Sequence, residues 1–356
     1  MGSMQARAVI GSFVLVLTSL LAACNEESQA PEAGDVIQAR ADNQFEDGQE
    51  ADVALPTGRL LIHAAEPVDS ATADETRIRE EVDAPAGTVL VPITWQYDPW
   101  SSDRLDGIFA TNQTPIVELV TDDEQYRLRP PDPAAEGGES FYVVVDGNAE
   151  ERSLEIEFDG VTQSIDLETG SRDEDRAAPL YDIEDEKLRK KPCDEADWFD
   201  TRTVNAEFIC DLVGPVLTPY AAGEWAPEGS MWLALTVSTE LGVYAETDLF
   251  GSGARYAGRN AKLKAEIDGE EPAYRLSTED ESDQCPSGFG CNAAAHVVFE
   301  VPEDDVEQGP LVVKLTYKLT MLNSWGTWDG RERLTVTADE KLKLWETEKK
   351  KKDAED

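Results

Sequence analysis

Thr88-Val89-Leu90-Val91-Pro92-Ile93-Thr94-Trp95-Gln96-Tyr97 is the stretch on which the fold reading turns. Val89, Val91, Ile93, Trp95 and Tyr97 fall on one face, and Leu90, Pro92, Thr94 and Gln96 on the other. This two-residue period is that of a β-strand. Pro92 cannot donate to a ladder, so its position is expected to face an edge or a bulge. Short runs of the same kind lie on either side: Arg59 to His63, Ile116–Val120, Gln125–Leu128, Phe141–Val145, Ser153–Phe158 and Thr162–Leu167. Turn residues such as Asp146-Gly147-Asn148 and Asp159-Gly160 separate them. Seven short strands with few helical patterns predict an antiparallel sandwich over residues 57–170.

The second half repeats these features in the same order. Ala84-Pro85-Ala86-Gly87 precedes the long strand, and Ala226-Pro227-Glu228-Gly229 precedes its counterpart. Val89, Val91, Ile93 and Trp95 correspond to Met231, Leu233, Leu235 and Val237. Tyr126-Arg127-Leu128 is echoed by Tyr274-Arg275-Leu276, the strand from Tyr142 to Val145 by Val297 to Val301, and Leu154 to Phe158 by Leu311 to Tyr317. The offset between the copies is far longer than a solenoid repeat, so each copy is expected to be a complete domain. The second spans residues 201–346, with Ser277 to Asn292 as an inserted loop. Residues 171–200, dense in both charges, read as a linker with at most a helical turn. Residues 347–356, with Lys349 to Lys352, read as a charged tail.

Pro227-x-Gly229, a long alternating strand, then Val298-Phe299-Glu300-Val301-Pro302 and a closing hairpin resemble an immunoglobulin-like module. Such modules occur in bacterial extracellular lipoproteins and are similar to a small secreted mycobacterial immunoprotective antigen. The likeness covers Val204 to Trp345, and more loosely Gly58 to Gly170. It implies an all-β chain of two tandem immunoglobulin-like antiparallel β-sandwiches, and it supplies no catalytic residues.

At the N-terminus, Arg7 precedes an apolar run from Ala8 to Leu21, and the chain turns polar at Asn25. This is the pattern of a secretory signal peptide, expected over residues 1–23. The run is too short for a spanning helix, which needs ~20 residues. Leu21-Ala22-Ala23-Cys24 resembles the lipobox of bacterial lipoproteins, which implies acylation of Cys24. The expected location is a bacterial cell membrane or outer membrane, lipid-anchored and facing the extracytoplasmic side. Residues 24–56 have few large apolar groups and read as a disordered acidic tether.

The chain carries 31 Lys and Arg against 74 Asp and Glu, a net charge of −43. A field of that sign repels nucleic acid and anionic lipid, leaving cations and basic polypeptides as suited partners. Apart from Cys24, four cysteines remain. Four permit three pairings, and proximity favours Cys193–Cys210 and Cys285–Cys291. Zinc is disfavoured because no CxxC occurs and neither His63 nor His296 lies at ligand spacing.

Signatures of acyl transfer, metalloproteases and nucleotide binding are absent, so no catalytic residue and no metal ligand is singled out. No cofactor is expected, and calcium is the candidate cation for the acidic surface. Trp100, Trp325 and Trp328 sit in loops, where an aromatic either anchors its own loop or contacts a partner. The expected function is a noncatalytic binding or protein-interaction module with an envelope or extracellular protein partner. The alternatives are a calcium-dependent adhesion or metal-capturing lipoprotein, and an envelope hydrolase.

Overall fold

The computed structural model describes residues 30–344 except 100–107, 110, 123, 133–136, 184–189, 194–198, 200–202, 277–284, 286–289 and 304–308. Cys24, the signal segment, Trp100 and the charged tail lie outside these residues.

The architecture is all-β and antiparallel. The first half contains β1 (Val36–Gln38), β2 (Gln49–Leu55), β3 (Gly58–Ala64), β4 (Ser70–Ala71), β5 (Val82–Asp83) and β6 (Thr88–Pro99). It continues with β7 (Ile116–Thr121), β8 (Gln125–Leu128), β9 (Glu139–Asp146), β10 (Arg152–Phe158), β11 (Val161–Asp166) and β12 (Arg172–Asp173). Two five-stranded sheets result, ordered β1-β9-β6-β3-β2 and β12-β11-β10-β7-β8. Their inner faces share one core, in which Leu60, Ile62, Val91, Ile93 and Trp95 meet Val117, Leu119, Leu154, Ile156 and Ile165. Each such aliphatic side chain contributes ~1.5–3 kcal/mol by leaving water.

Every strand expected in this half forms. The second face of β6 is covered as well, since Leu90 packs with Ala39, Ala71, Tyr142 and Val144. Pro92 sits on a central strand, just past the end of the β3 ladder at Ala64↔Ile93. Its carbonyl accepts from Ala65 N at 3.1 Å, so its missing N–H faces the side where pairing has stopped.

The disordered tether expected over residues 24–56 is overturned from Val36 onward. β1 pairs with β9 and β2 with β3, and Val53, Ala54 and Leu55 are fully buried. The few apolar groups there are spaced to fill a sheet, and composition alone hides that spacing. Residues 42–48 are a turn pinned by Phe45 N donating to Thr94 Oγ1 at 3.1 Å and by the Phe45 ring on Tyr142.

The expected linker over residues 171–200 is built into the fold from Arg172 to Asp182. β12 extends the second sheet, and a 3-10 helix over Asp175–Asp182 buries Ala177 and Leu180. Arg172 bonds Asp52 at 2.5 Å and Glu174 at 3.0 Å while lying over the Tyr181 ring.

The second half contains β13 (Lys191–Pro192), β14 (Val204–Thr218), β15 (Tyr220–Ala221), β16 (Glu224–Trp225) and β17 (Ser230–Thr247). After them come β18 (Gly253–Ile267), β19 (Tyr274–Leu276), β20 (Cys291–Pro302), β21 (Leu311–Trp325) and β22 (Arg333–Leu342). One layer runs β13-β14-β17-β20-β19 and the other β18-β21-β22. They join where the end of β17 pairs with the start of β18, from Tyr244↔Tyr256 to Thr247↔Gly253.

The two halves share a ladder register. Val89↔Val145, Val91↔Val143 and Ile93↔Phe141 in the first have their equivalents in Met231↔Val301, Leu233↔Phe299 and Leu235↔Val297. They differ in the fourth strand, because β8 pairs with β7 whereas β19 pairs with β20. The Tyr-Arg-Leu echo therefore lands on opposite layers.

The halves interlock. The β15–β16 hairpin projects from the second into the open end of the first, where Tyr220 is fully buried in the first core. A separate apolar cluster seals the junction, drawing Ala54, Val161, Ala177 and Leu180 together with Val216, Trp232, Ala234 and Val298.

Candidate functional site

The end of the second half away from this junction carries the most unusual surface. β17 runs from the junction at Trp232 to Thr247, about 50 Å at strand rise, and then turns through Asp248-Leu249-Phe250-Gly251-Ser252. The turn is built by its own residues. Asp248 Oδ1 accepts from Phe250 N at 2.8 Å and from Ser252 N at 2.9 Å, and Asp248 N donates to Ser252 O at 2.8 Å. Gly251 takes the left-handed conformation, φ 83°, that closes the loop. With the backbone so satisfied, Leu249 and Phe250 point away from everything, 92% and 94% exposed. A lone exposed Leu is ordinary, but two adjacent large apolar groups held outward on a braced turn form a patch of the kind that marks contact sites.

Trp325 and Trp328, both expected in loops, flank that turn, although Trp325 belongs to a strand. Trp325 ends β21 opposite Gly253, donates its indole N–H to Gly251 O at 2.8 Å and remains 38% exposed. A Cβ on Gly253 would lie 2.5 Å from the Trp325 ring, so glycine is what lets the indole lie flat on the strand. Trp328 is half-buried against the second core, covering Gly330. The intervening loop is tied down by Thr327 N to Ser252 Oγ at 3.2 Å and by Tyr256 Oη to Arg331 O at 3.1 Å. Trp328 therefore anchors its loop, while Trp325 both braces the turn and shows an edge to solvent. Leu249 and Phe250 were missed by period-two reading because they fall where the strand pattern breaks. The usable signal was two large apolar residues inside the turn chemistry Asp-x-x-Gly.

Charge at this end is nearly balanced. Residues 246–256 and 325–333 hold four acids (Glu246, Asp248, Asp329, Glu332) and three bases (Arg255, Arg331, Arg333), in a chain with 74 acids and 31 bases. Shifted titrations nearby are consequences of packing. Burial, with the adjacent Glu246, pushes the Tyr244 phenol up to about 12. Burial also raises Tyr256, partly offset by the Trp328 indole against it.

The four distal cysteines pair as Cys193–Cys210 and Cys285–Cys291. Cys193 N also donates to Cys210 O at 2.9 Å, fastening β13 to β14. Among the described residues no group of three or more His, Cys, Asp or Glu side chains gathers as metal ligands would. Among them, too, no helix is long and apolar enough to cross a membrane. His296, half of the chain's histidine complement, is engaged structurally, its Nδ1 lying 2.7 Å from Thr236 Oγ1.

A scan against protein-family models matches none, and no curated protein aligns significantly with the chain.

Proposed function

We propose that this chain is a lipid-anchored, noncatalytic interaction module of the bacterial cell envelope, held at Cys24 and engaging an envelope or extracellular protein through Leu249 and Phe250. The observation that carries this reading is the pair of large apolar side chains presented on a turn whose own hydrogen bonds hold it rigid. A preorganised turn loses little entropy on docking. Burying both side chains would supply ~3–6 kcal/mol before association costs, the scale of a hot spot.

The immunoglobulin-like assignment belongs to the same proposal. With the two-residue edge strand β13 set aside, the layers β14-β17-β20-β19 and β18-β21-β22 follow the four-plus-three division of constant-type domains. The placement of Gly34 supports display. Gly34 N bonds Val144 O at 2.7 Å, near the pole where Thr88 pairs with Asp146, whereas the junction lies at the Gly58↔Pro99 end. Gly34 and the apolar turn thus each sit toward the end of their half that lies away from the junction.

Photo-crosslinking in intact cells, with the reactive residue at Phe250 or at the remote strand position Glu118, tests the docking. A discrete adduct from position 250, identified by mass spectrometry and lost in Leu249→Ser, is the expected result; equal labelling from both positions would reject it. Metabolic labelling with a fatty acid, abolished by Cys24→Ala, tests the anchor separately.

A further inference from the structure

We propose a second binding site, independent of the apolar turn, in the flank of the first sandwich: a cleft that takes an organic ammonium ion with an apolar body. The cleft encloses about 420 Å3, within the range of small-molecule sites. It opens between β1, at the edge of one sheet, and the end of β8, at the edge of the other. Its floor is aromatic, with Trp95 and Phe141 packed edge to face at 4.7 Å between centroids. Val36 and Leu128 form apolar walls.

Glu139 supplies the charge. Its Oε1 accepts from Gln38 Nε2 at 3.2 Å and its Oε2 accepts from Trp95 Nε1 at 3.4 Å. Each oxygen is thereby oriented by a neutral donor and keeps a lone pair for another. Among the described residues no cation pairs with this carboxylate. A carboxylate positioned by neutral donors above an aromatic floor matches an ammonium group attached to an apolar body. The carboxylate takes the N–H donors, and the rings take the hydrocarbon and the cation's field. The chain's net charge of −43 raises the local concentration of such cations. Arg129 and Asp132 also line the cleft with opposite charges, which leaves Glu139 as its net charge.

Calorimetric titration of the full chain with phenethylammonium and with 3-phenylpropionate tests this, because the two probes share a ring and oppose in charge. The expected result is saturable binding of the amine at least tenfold tighter than of the acid. Glu139→Gln should weaken the amine at least tenfold, and Glu139→Lys should reverse the preference, which a merely structural role for Glu139 would not do. A titration shift of the Trp95 indole N–H resonance in the unsubstituted chain gives a readout that needs no variant to fold. No saturable binding of the amine, equal affinity for the acid, or an unchanged Glu139→Gln would each overturn the proposal. An extended Phe-Lys peptide added as a third arm distinguishes the sources: tighter binding than phenethylammonium assigns the natural ligand to a polypeptide, weaker binding to a free amine.

Discussion

The ring of Tyr220 stands edge-on to Phe158, 5.5 Å between centroids, although the two residues belong to different sandwiches. Trp225 also packs edge-on to Tyr220 at 5.1 Å and donates its indole N–H to Phe158 O at 3.2 Å. The Tyr220 hydroxyl reaches Thr111 Oγ1 at 3.2 Å and Asp159 Oδ2 at 3.3 Å. The halves are therefore joined by a buried plug. Tyr220→Ala should cost ~3–5 kcal/mol, the scale for truncating a buried aromatic. Calorimetry should then resolve two unfolding transitions where the unsubstituted chain shows one. Tyr220→Phe, which loses only the hydroxyl's bonds, should cost ~0.5–1.5 kcal/mol. A single, unshifted transition in Tyr220→Ala would show that the halves do not depend on each other.

At the distal turn, stability and exposure should separate cleanly. Leu249→Ser and Phe250→Ser remove groups that touch almost nothing, so urea midpoints should move by less than ~0.5 kcal/mol. Trp328→Ala, which uncovers Gly330 and Tyr256, should cost about 2 kcal/mol. Comparable losses from Phe250→Ser and Trp328→Ala would mean that Phe250 packs in solution.

Gly253 offers a sharper test of how the turn is braced. An added methyl would meet Glu246 O at 2.4 Å as well as the Trp325 ring. Gly253→Ala should cost ~1–3 kcal/mol by overpacking and should shift tryptophan emission to the red as Trp325 swings into water.

Alkaline pH should destabilise the fold through its tyrosines. Burial is the main force that pushes Tyr97, Tyr142, Tyr181, Tyr244 and Tyr317 up to about 12. Their unfolded value is about 10. Between those values the folded chain holds more protons than the unfolded one, so stability falls as pH rises through this window and is fully present below it. Tyrosinate absorbance should show a late-titrating class of phenols whose ionisation coincides with loss of near-ultraviolet circular dichroism.

The disulfides should contribute unequally. Cys193–Cys210 closes a separation of 17 residues and Cys285–Cys291 one of 6. On loop-closure entropy, replacing the first pair with Ser should cost ~3 kcal/mol and the second ~2 kcal/mol. Denaturant curves of the two double variants give that order directly.

Strand positions were legible because period two is a local property: Val91, Ile93 and Trp95 announce their face without reference to any partner. Cysteine pairing was legible from spacing for the same reason. What was hidden depends on long-range pairing. Val53 and Leu55 look sparse in an acidic segment, and only the edge of β3 gives them a face to complete. Tyr220 lies within the second half, yet its burial is decided by a gap beside Phe158 some sixty residues earlier. Leu249 and Phe250 posed the converse problem, since their turn could be read while their lack of cover could be known only once every neighbour was placed.

The plug also imposes an order of events. A chain made N-terminus first completes the ladders of β1 to β12 before Tyr220 and Trp225 exist to fill the end of that core. Without them Phe158, Val161 and Ala54 would line an open mouth, and the first sandwich would expose apolar surface. Its maturation therefore waits on the synthesis of a later segment. A chain interrupted between residues 183 and 220 should be marked for proteolysis and chaperone capture, even though every strand of that sandwich has been made.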